Sequence, residues 1–181
     1  MSGNTRYSPV AIALHWWMAA FMLALLASGF VMDDLPQGGV KFAAFNTHKL
    51  FGAVVLVLAA VRLAWRVGHQ PPAADDLPAW QRRASHAAHA MLYVAMIVLP
   101  VSGLLFTNFG KGVRIFALTL APIGGPDEAL SHLFKDVHEA TGIVLAVIVS
   151  AHVVAALWHH FGRRDATLVR ILPGARFAVG D

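Results

Sequence analysis

The chain has no cysteine among its 181 residues. That absence excludes disulfides, zinc–thiolate sites, iron–sulfur clusters and covalent attachment of a c-type haem. Charge is scarce as well. Asp, Glu, Lys and Arg make up 13% of the chain, against roughly 25% in a soluble domain. So little charge cannot cover a water-facing surface, and a mean hydropathy of +0.61 also points to lipid. The pI near 10 does not indicate nucleic acid, because the basic residues sit at the ends of apolar segments and form no aromatic-interleaved stripe. Ten histidines and six methionines remain as metal-binding side chains, which is many histidines for so apolar a chain.

Four segments approach the roughly 20 apolar residues that a bilayer core requires of a helix. The first runs over about 9–32, with Pro9 suited to a first helical turn and Asp33, Asp34 and Pro36 ending it. It is too long and too late for an ordinary signal peptide. The second covers about 48–65, with Asn46 or Thr47 as its cap, and Gly68, Pro71 and Pro72 break the chain after it. The third covers about 83–106 and contains Pro100, which membrane helices tolerate. The fourth covers about 135–161, with Gly162 as its stop. The expected fold is all-α. It is a single domain over residues 1–181, a four-helix transmembrane bundle with a long periplasmic cap loop between helices 3 and 4. Within that loop the stretch from Val113 to Ile123 is apolar but too short to cross, so it reads as an interfacial cap over one end of the bundle.

Charge asymmetry orients the bundle. The termini and the loop between spans two and three carry nine basic residues: Arg6, Arg62, Arg66, Arg82, Arg83, Arg163, Arg164, Arg170 and Arg176. The opposite side carries five: Lys41, Lys49, Lys111, Arg114 and Lys135. Both termini are expected to be cytoplasmic.

Ionisable residues inside spans are costly and mark function. His15, His48, His138 and His152 all fall in or at the ends of spans. His138 and His152 are 14 residues apart, which returns a helix to within about 40° of the same face and separates them by about 21 Å. That leaves room for one macrocycle near each membrane surface. His48 is level with His138 at the outer end, and His15 with His152 at the inner end. Each level thus has two imidazoles from different helices. Bis-histidine ligation of haem iron is the simplest chemistry that uses them, since zinc would want a third protein ligand. His86 and His89, at the inner start of the third helix, compete for the inner role: either one replaces His152 as the partner of His15, or faces a haem propionate or a quinone.

Gly52 follows His48 by four residues and Gly142 follows His138 by four. Each opens a gap on its ligand's own helix face, suited to a flat porphyrin edge. Gly29, 14 residues after His15, meets the outer level, and Arg62, 14 residues after His48, meets the inner one. Arg62 there would pair with a haem propionate. The competing explanations are close helix packing for the glycines and snorkelling for the arginine.

Arg6-Tyr7-Ser8, His15-Trp16, His48-xxx-Gly52, Val61-Arg62-Leu63, His138-Glu139-xx-Gly142, His152 and His159-His160 together resemble the bacterial cytochrome b-561 family over nearly the whole chain. That family is small, four-helical and di-haem, and similar to the cytochrome b subunits of hydrogenases and formate dehydrogenases. The resemblance implies two haem b groups, the inner held by His15 and His152 and the outer by His48 and His138, in the bacterial inner membrane. It also implies superoxide oxidation at the periplasmic face and ubiquinone reduction near the cytoplasmic face. Lys49, Lys135 and Arg114, with Lys111, would make a cationic approach for a small anion, although Asp136 and Glu139 oppose it. At the inner end, His159 and His160 are placed to hydrogen-bond a quinone and relay protons, with Trp158 packing on its ring. An interfacial His–Trp anchor would look the same. The alternative functions are a membrane electron-transfer subunit of a larger dehydrogenase or other periplasmic redox enzyme, and a haem-free proton or metal transporter.

Overall fold

A computed structural model describes residues 6–69 and 77–174. Pro71, Pro72 and Arg176 lie outside the described residues. Four helices form the bundle: α1 (Pro9–Val31), α2 (Gly39–Gly68), α3 (Ala79–Gly110) and α4 (Glu128–Leu157). All four are long and apolar enough to cross a membrane, so the protein is an all-α, multi-pass membrane bundle. Among the described residues the one departure is a small antiparallel hairpin between α3 and α4. Its strands are β1 (Val113–Ile115) and β2 (Leu118–Leu120), with Val113 opposite Leu120.

Local chemistry sets the helix starts. The Ser8 side chain accepts a hydrogen bond from the Ala11 N–H at 3.3 Å, and Pro9 follows in the first turn. The Asp127 carboxylate accepts from the Leu130 N–H at 3.0 Å, with Glu128 adding a favourable charge at the positive end of α4. The helices outrun the apolar runs. α2 begins at Gly39, not at Asn46 or Thr47, and α4 begins at Glu128, not near Lys135. At 30 residues each, these helices are about 45 Å long, longer than a hydrocarbon core of about 30 Å. His48 and His138 therefore sit in third turns, with regular helix on both sides. α4 ends in a wider π-type turn, Trp158–Arg163, and the stop is Arg164 in the left-handed region (φ 54°), not Gly162.

The exterior is apolar: Val94 is 61% exposed and Val154 65%, an arrangement that suits lipid. The interior is thin. Met18, Ala59, Leu92, Ala95, Met96, Leu145 and Val149 form one cluster drawn from all four helices.

Side chains tie each end of the bundle. At the terminus end, Trp65 Nε1 donates to Ser8 Oγ (3.2 Å), Trp16 Nε1 to the Ile171 carbonyl (2.8 Å) and Arg6 to the Leu172 carbonyl (2.6 Å), which folds the tail back under α1. At the other end the Phe116 N–H donates to Asn46 Oδ1 (2.7 Å) and Lys49 Nζ to the Arg114 carbonyl (2.6 Å). These two bonds pin the hairpin to α2. Asn46 is 2% exposed, and Phe116 takes a left-handed φ of 50°, so the buried amide holds a strained turn in place.

Candidate functional site

The four span histidines come together as two pairs. The His48 and His138 ring centres lie 6.2 Å apart, and those of His15 and His152 lie 6.4 Å apart. α4 packs mainly on α3, so α1 and α2 reach it at these levels through the imidazoles. The spacing fits a bridging iron. Two metal–nitrogen bonds of about 2 Å, plus roughly 1 Å from each ring nitrogen to its ring centre, give about 6 Å. Among the described residues no group of three or more His, Cys, Asp or Glu side chains is arranged to hold a metal.

Hydrogen bonds orient the outer pair. His48 Nδ1 lies 3.0 Å from Ser28 Oγ. His138 Nδ1 donates to the Leu99 carbonyl at 2.8 Å and lies 3.4 Å from Ser102 Oγ. With Nδ1 engaged, Nε2 is the nitrogen left for a metal, and the ring plane is fixed.

The partners on α1 and α3 follow one pattern. Leu25, Ser28 and Gly29 follow His15 at the same spacings as Leu99, Ser102 and Gly103 follow His89. Ser28 Oγ donates to the Leu25 carbonyl (3.0 Å), and Ser102 Oγ to the Leu99 carbonyl (2.9 Å). A Cβ added to Gly29 would meet His48 Cε1 at 3.4 Å, and one added to Gly103 would meet the His138 ring at 3.0 Å. The α1–α2 and α3–α4 halves thus repeat a device in which a Ser-Gly pair grips the outer histidine of the next helix. Sequence reading noted Gly29 but missed Ser28, Ser102 and Gly103. The signal was there as a Ser-Gly dipeptide at equal distance from two histidines.

Seven-residue steps drift only about 20° around a helix, and each helix carries one such stripe into the bundle. These are His15-Met22-Gly29, His48-Val55-Arg62, His89-Met96-Gly103 and His138-Leu145-His152. The middle members are apolar. Leu145, 1% exposed, lies midway between the two ligand candidates of α4, so packed side chains separate the levels.

The glycines differ in what surrounds them. A Cβ at Gly52 would meet nothing within 4 Å, and one at Gly142 only Leu99 Cδ1 at 3.8 Å. Close helix packing therefore explains neither.

The inner level is more crowded than two histidines. The His89 ring centre is 5.5 Å from that of His152, whereas His86 is exposed. Arg62 is an electrostatic neighbour of His15, His89 and His152. Its Nε donates to Tyr93 Oη (3.1 Å), and Arg66 lies over the same ring (5.8 Å). Neither arginine has a carboxylate partner among the described residues.

The three outer cations part company. Lys49 and Arg114 are joined through the hairpin, and Arg114 also lies over the Phe42 ring at 5.3 Å. Lys135 is paired with Glu139 at 3.3 Å on an exposed face.

At the other end, Trp158 is 52% exposed and stacked under Arg163 (5.7 Å). His159 is held instead by a residue the sequence did not single out: its Nδ1 lies 2.5 Å from Asp165 Oδ2. Burial pushes the Asp165 carboxyl up, but hydrogen bonds from Thr167 and His159 outweigh it, leaving the group below its usual value. An open groove of about 660 Å³ lies between the start of α1 and the tail, lined by Arg6, Trp16, Trp17 and Pro173 among others. Neither Trp158 nor His159 lines it.

Residues 6–174 match the family described as prokaryotic cytochrome b561. Cytochrome b561 homolog 1 of Escherichia coli (strain K12) is 30% identical over 171 residues, covering 93% of this chain and 97% of the relative. Cytochrome b561 homolog 2 of the same strain is 30% identical over 177 residues, covering 92% and 91%. A Yersinia pestis protein named probable superoxide oxidase CybB is 23% identical over 175 residues, covering 96% and 99%. Taken with four apolar helices and histidines paired inside them, the match over nearly the whole chain establishes that this protein belongs to the prokaryotic cytochrome b561 family of haem b-binding membrane electron-transfer proteins.

Proposed function

We propose that the protein is a di-haem cytochrome that carries electrons across the bacterial inner membrane, from superoxide at the periplasmic face to ubiquinone near the cytoplasmic face. The observation that carries this reading is the two pairs of neighbouring imidazoles, with ring centres 6.2 and 6.4 Å apart, each with one member on α4 and the two levels separated by about 21 Å along it. His48 and His138 would hold the outer haem, and His15 and His152 the inner one. Bound haem b supplies an iron that takes and gives single electrons.

The chain's own residues do the rest. Ser28, Ser102 and the Leu99 carbonyl fix the outer imidazoles. Gly52 and Gly142 leave room beside them. Arg62 and Arg66, lacking carboxylate partners among the described residues, suit the propionates of the inner group. The hairpin end is periplasmic in this reading, with both termini cytoplasmic by charge asymmetry. There Lys49 and Arg114 form the local positive field that draws a small anion. Lys135, neutralised by Glu139, contributes little. At the opposite end, His159 would face the quinone.

One observation favours a second reading, in which the chain is the membrane subunit of a larger redox enzyme. Leu118, Leu120 and Ile123 are all exposed, Ile123 by 83%, as a docking surface for a soluble partner would be.

Pulsing superoxide onto the oxidised, haem-loaded protein separates the two. The oxidase reading expects the b-type absorption of reduced haem to appear at once. Haems that stay oxidised under superoxide but are reduced quickly by a soluble donor would replace it with the subunit reading. Haem counting on His138→Ala should show one haem in place of two.

A further inference from the structure

His159 continues the α4 stripe: His138, Leu145, His152 and His159 follow at seven-residue steps. It therefore lies about 10 Å beyond His152, on the face that carries the electron path and at the end where the path leaves the membrane. The π-type turn that begins at Trp158 brings Asp165 back onto it. The Asp165 N–H donates to the His159 carbonyl (3.1 Å), and the Thr167 N–H donates to Asp165 Oδ1 (3.0 Å). Oδ2 is left to His159 Nδ1, at 2.5 Å. Both side chains are mostly buried, 13% and 26% exposed. The other charged group at the carboxylate is Arg163, with Nε 3.6 Å from Oδ2. Its guanidinium is itself held by the neutral Gln81 of α3 at 2.8 Å. Two neighbours, one backbone and one cationic, thus fix the carboxylate, and the carboxylate fixes the imidazole. A carboxylate on Nδ1 sets the tautomer of a histidine and stabilises its charged form, so that Nε2 can give and regain a proton. His160, next in the chain, has no such partner among the described hydrogen bonds and ion pairs.

We propose that Asp165 is a positioning residue that holds His159 as the proton donor to the two-electron acceptor at the terminus end. The proposal rests on the quinone reading above and says how that site works. A quinone takes up two electrons and two protons to become a quinol. His159 gives its Nε2 proton to a quinone oxygen as each electron arrives, and water at this face returns it. Nothing else is consumed, and the carboxylate stays ionised throughout.

The test compares reoxidation of the pre-reduced, haem-loaded protein by a short-chain ubiquinone and by ferricyanide, which accepts one electron and no proton. In Asp165→Asn the quinone-driven step should slow about tenfold, because the amide no longer holds the imidazole as the carboxylate does. Ferricyanide-driven reoxidation should be unchanged, and Asp165→Glu should recover part of the quinone rate. A quinone rate within about twofold of the parent, or an equal slowing with both oxidants, overturns the proposal. If Asp165→Asn fails to assemble, the parent protein decides. Its quinone-driven reoxidation must slow about twofold or more in heavy water while the ferricyanide-driven step does not, and two rates without an isotope effect overturn the proposal. Parent protein that ferricyanide reoxidises and ubiquinone does not would remove the quinone reading itself, and the Asp165 proposal with it.

Discussion

Gly103 of α3 stands directly against the His138 ring of α4: a Cβ there would lie 3.0 Å from both Cε1 and Nδ1. The ring has little freedom to yield, because its Nδ1 is bonded to the Leu99 carbonyl at 2.8 Å. Gly103→Ala should therefore turn the imidazole off its axis. Overpacking of this kind costs about 1–3 kcal/mol. Haem titration of the variant should show one site of normal affinity and one weakened at least tenfold, the weakened one being lost by His138→Ala. Two sites of unchanged affinity would mean that the ring sits elsewhere when haem is bound.

Gly52 is the opposite case, since no protein atom lies within 4 Å of an added Cβ. Gly52→Ala should leave the haem-free protein as stable as the parent, or slightly more so through helix propensity. If a porphyrin edge passes there, the same methyl lowers haem occupancy. Thermal melts without haem and haem content with it separate the two effects. Unchanged occupancy would assign the glycine no part in cofactor binding.

Much of this bundle was legible in the sequence, because burying charge in lipid is costly enough for composition to give the spans and for histidines to mark the chemistry. Helical repeat and the order of the spans set the two levels, the family resemblance implied the pairs His48–His138 and His15–His152, and the rings of each pair lie near one another in the bundle. What escaped notice was set by partners distant in the chain. The hairpin could not be read from an apolar stretch, since its turn is held by Asn46 far upstream, and an asparagine just before an apolar run also fits a helix cap. Asp165 carried no local signal either. Its meaning comes from a turn that folds back by six residues. The third inner histidine, His89, has no outer histidine as a mate on α3. The mate is Gly103, which serves that level without being a ligand.

Asn46 links the hairpin to the bundle by accepting from the Phe116 N–H while its own amide donates to the Phe42 carbonyl at 2.7 Å. Asn46→Ala removes the acceptor of the part-buried Phe116 N–H, at a cost of about 1 kcal/mol, and releases the turn at Phe116. Limited proteolysis should cut the variant within residues 113–120 several-fold faster than the parent, with haem content retained. Equal cleavage rates would show that the Lys49–Arg114 bond and the packing of β1 on α2 and α3 hold the hairpin without Asn46.

Lys49 and Lys135 are not equivalent despite their similar places beside His48 and His138. Lys49 stands next to Arg114, whereas Lys135 has Glu139 at 3.3 Å. Lys49→Gln should slow superoxide-driven haem reduction about two- to fivefold at low ionic strength, with the difference fading as salt screens the field. The charge-neutral double variant Lys135→Gln, Glu139→Gln should stay within about twofold of the parent at every salt concentration. Stopped-flow traces over a salt series measure both. A salt-independent loss in Lys49→Gln would point to hairpin positioning instead of charge.

The inner level contains His15, Arg62, His89 and His152, one from each helix. By the repeat, His89 of α3 corresponds to His15 of α1, and Arg62 of α2 to His152 of α4. The pair His15–His152 has its symmetry mate in positions 89 and 62, where an arginine prevents ligation. His152→Ala should accordingly lose the inner haem, and His89→Ala should keep it. His89 lies 5.5 Å from His152, but its seven-residue stripe on α3 ends at Gly103 and carries no second histidine. The sharper test is to add Arg62→His to His152→Ala. If the halves are related as the Ser-Gly grips imply, the new imidazole on α2 and His89 on α3 face each other across the level, and pyridine haemochrome counts should return from one haem toward two. The recovery should disappear when His89→Ala is added as well. Recovery that survives the loss of His89 would show that His15 had simply found the new partner on α2, and that the repeat ends at the outer level.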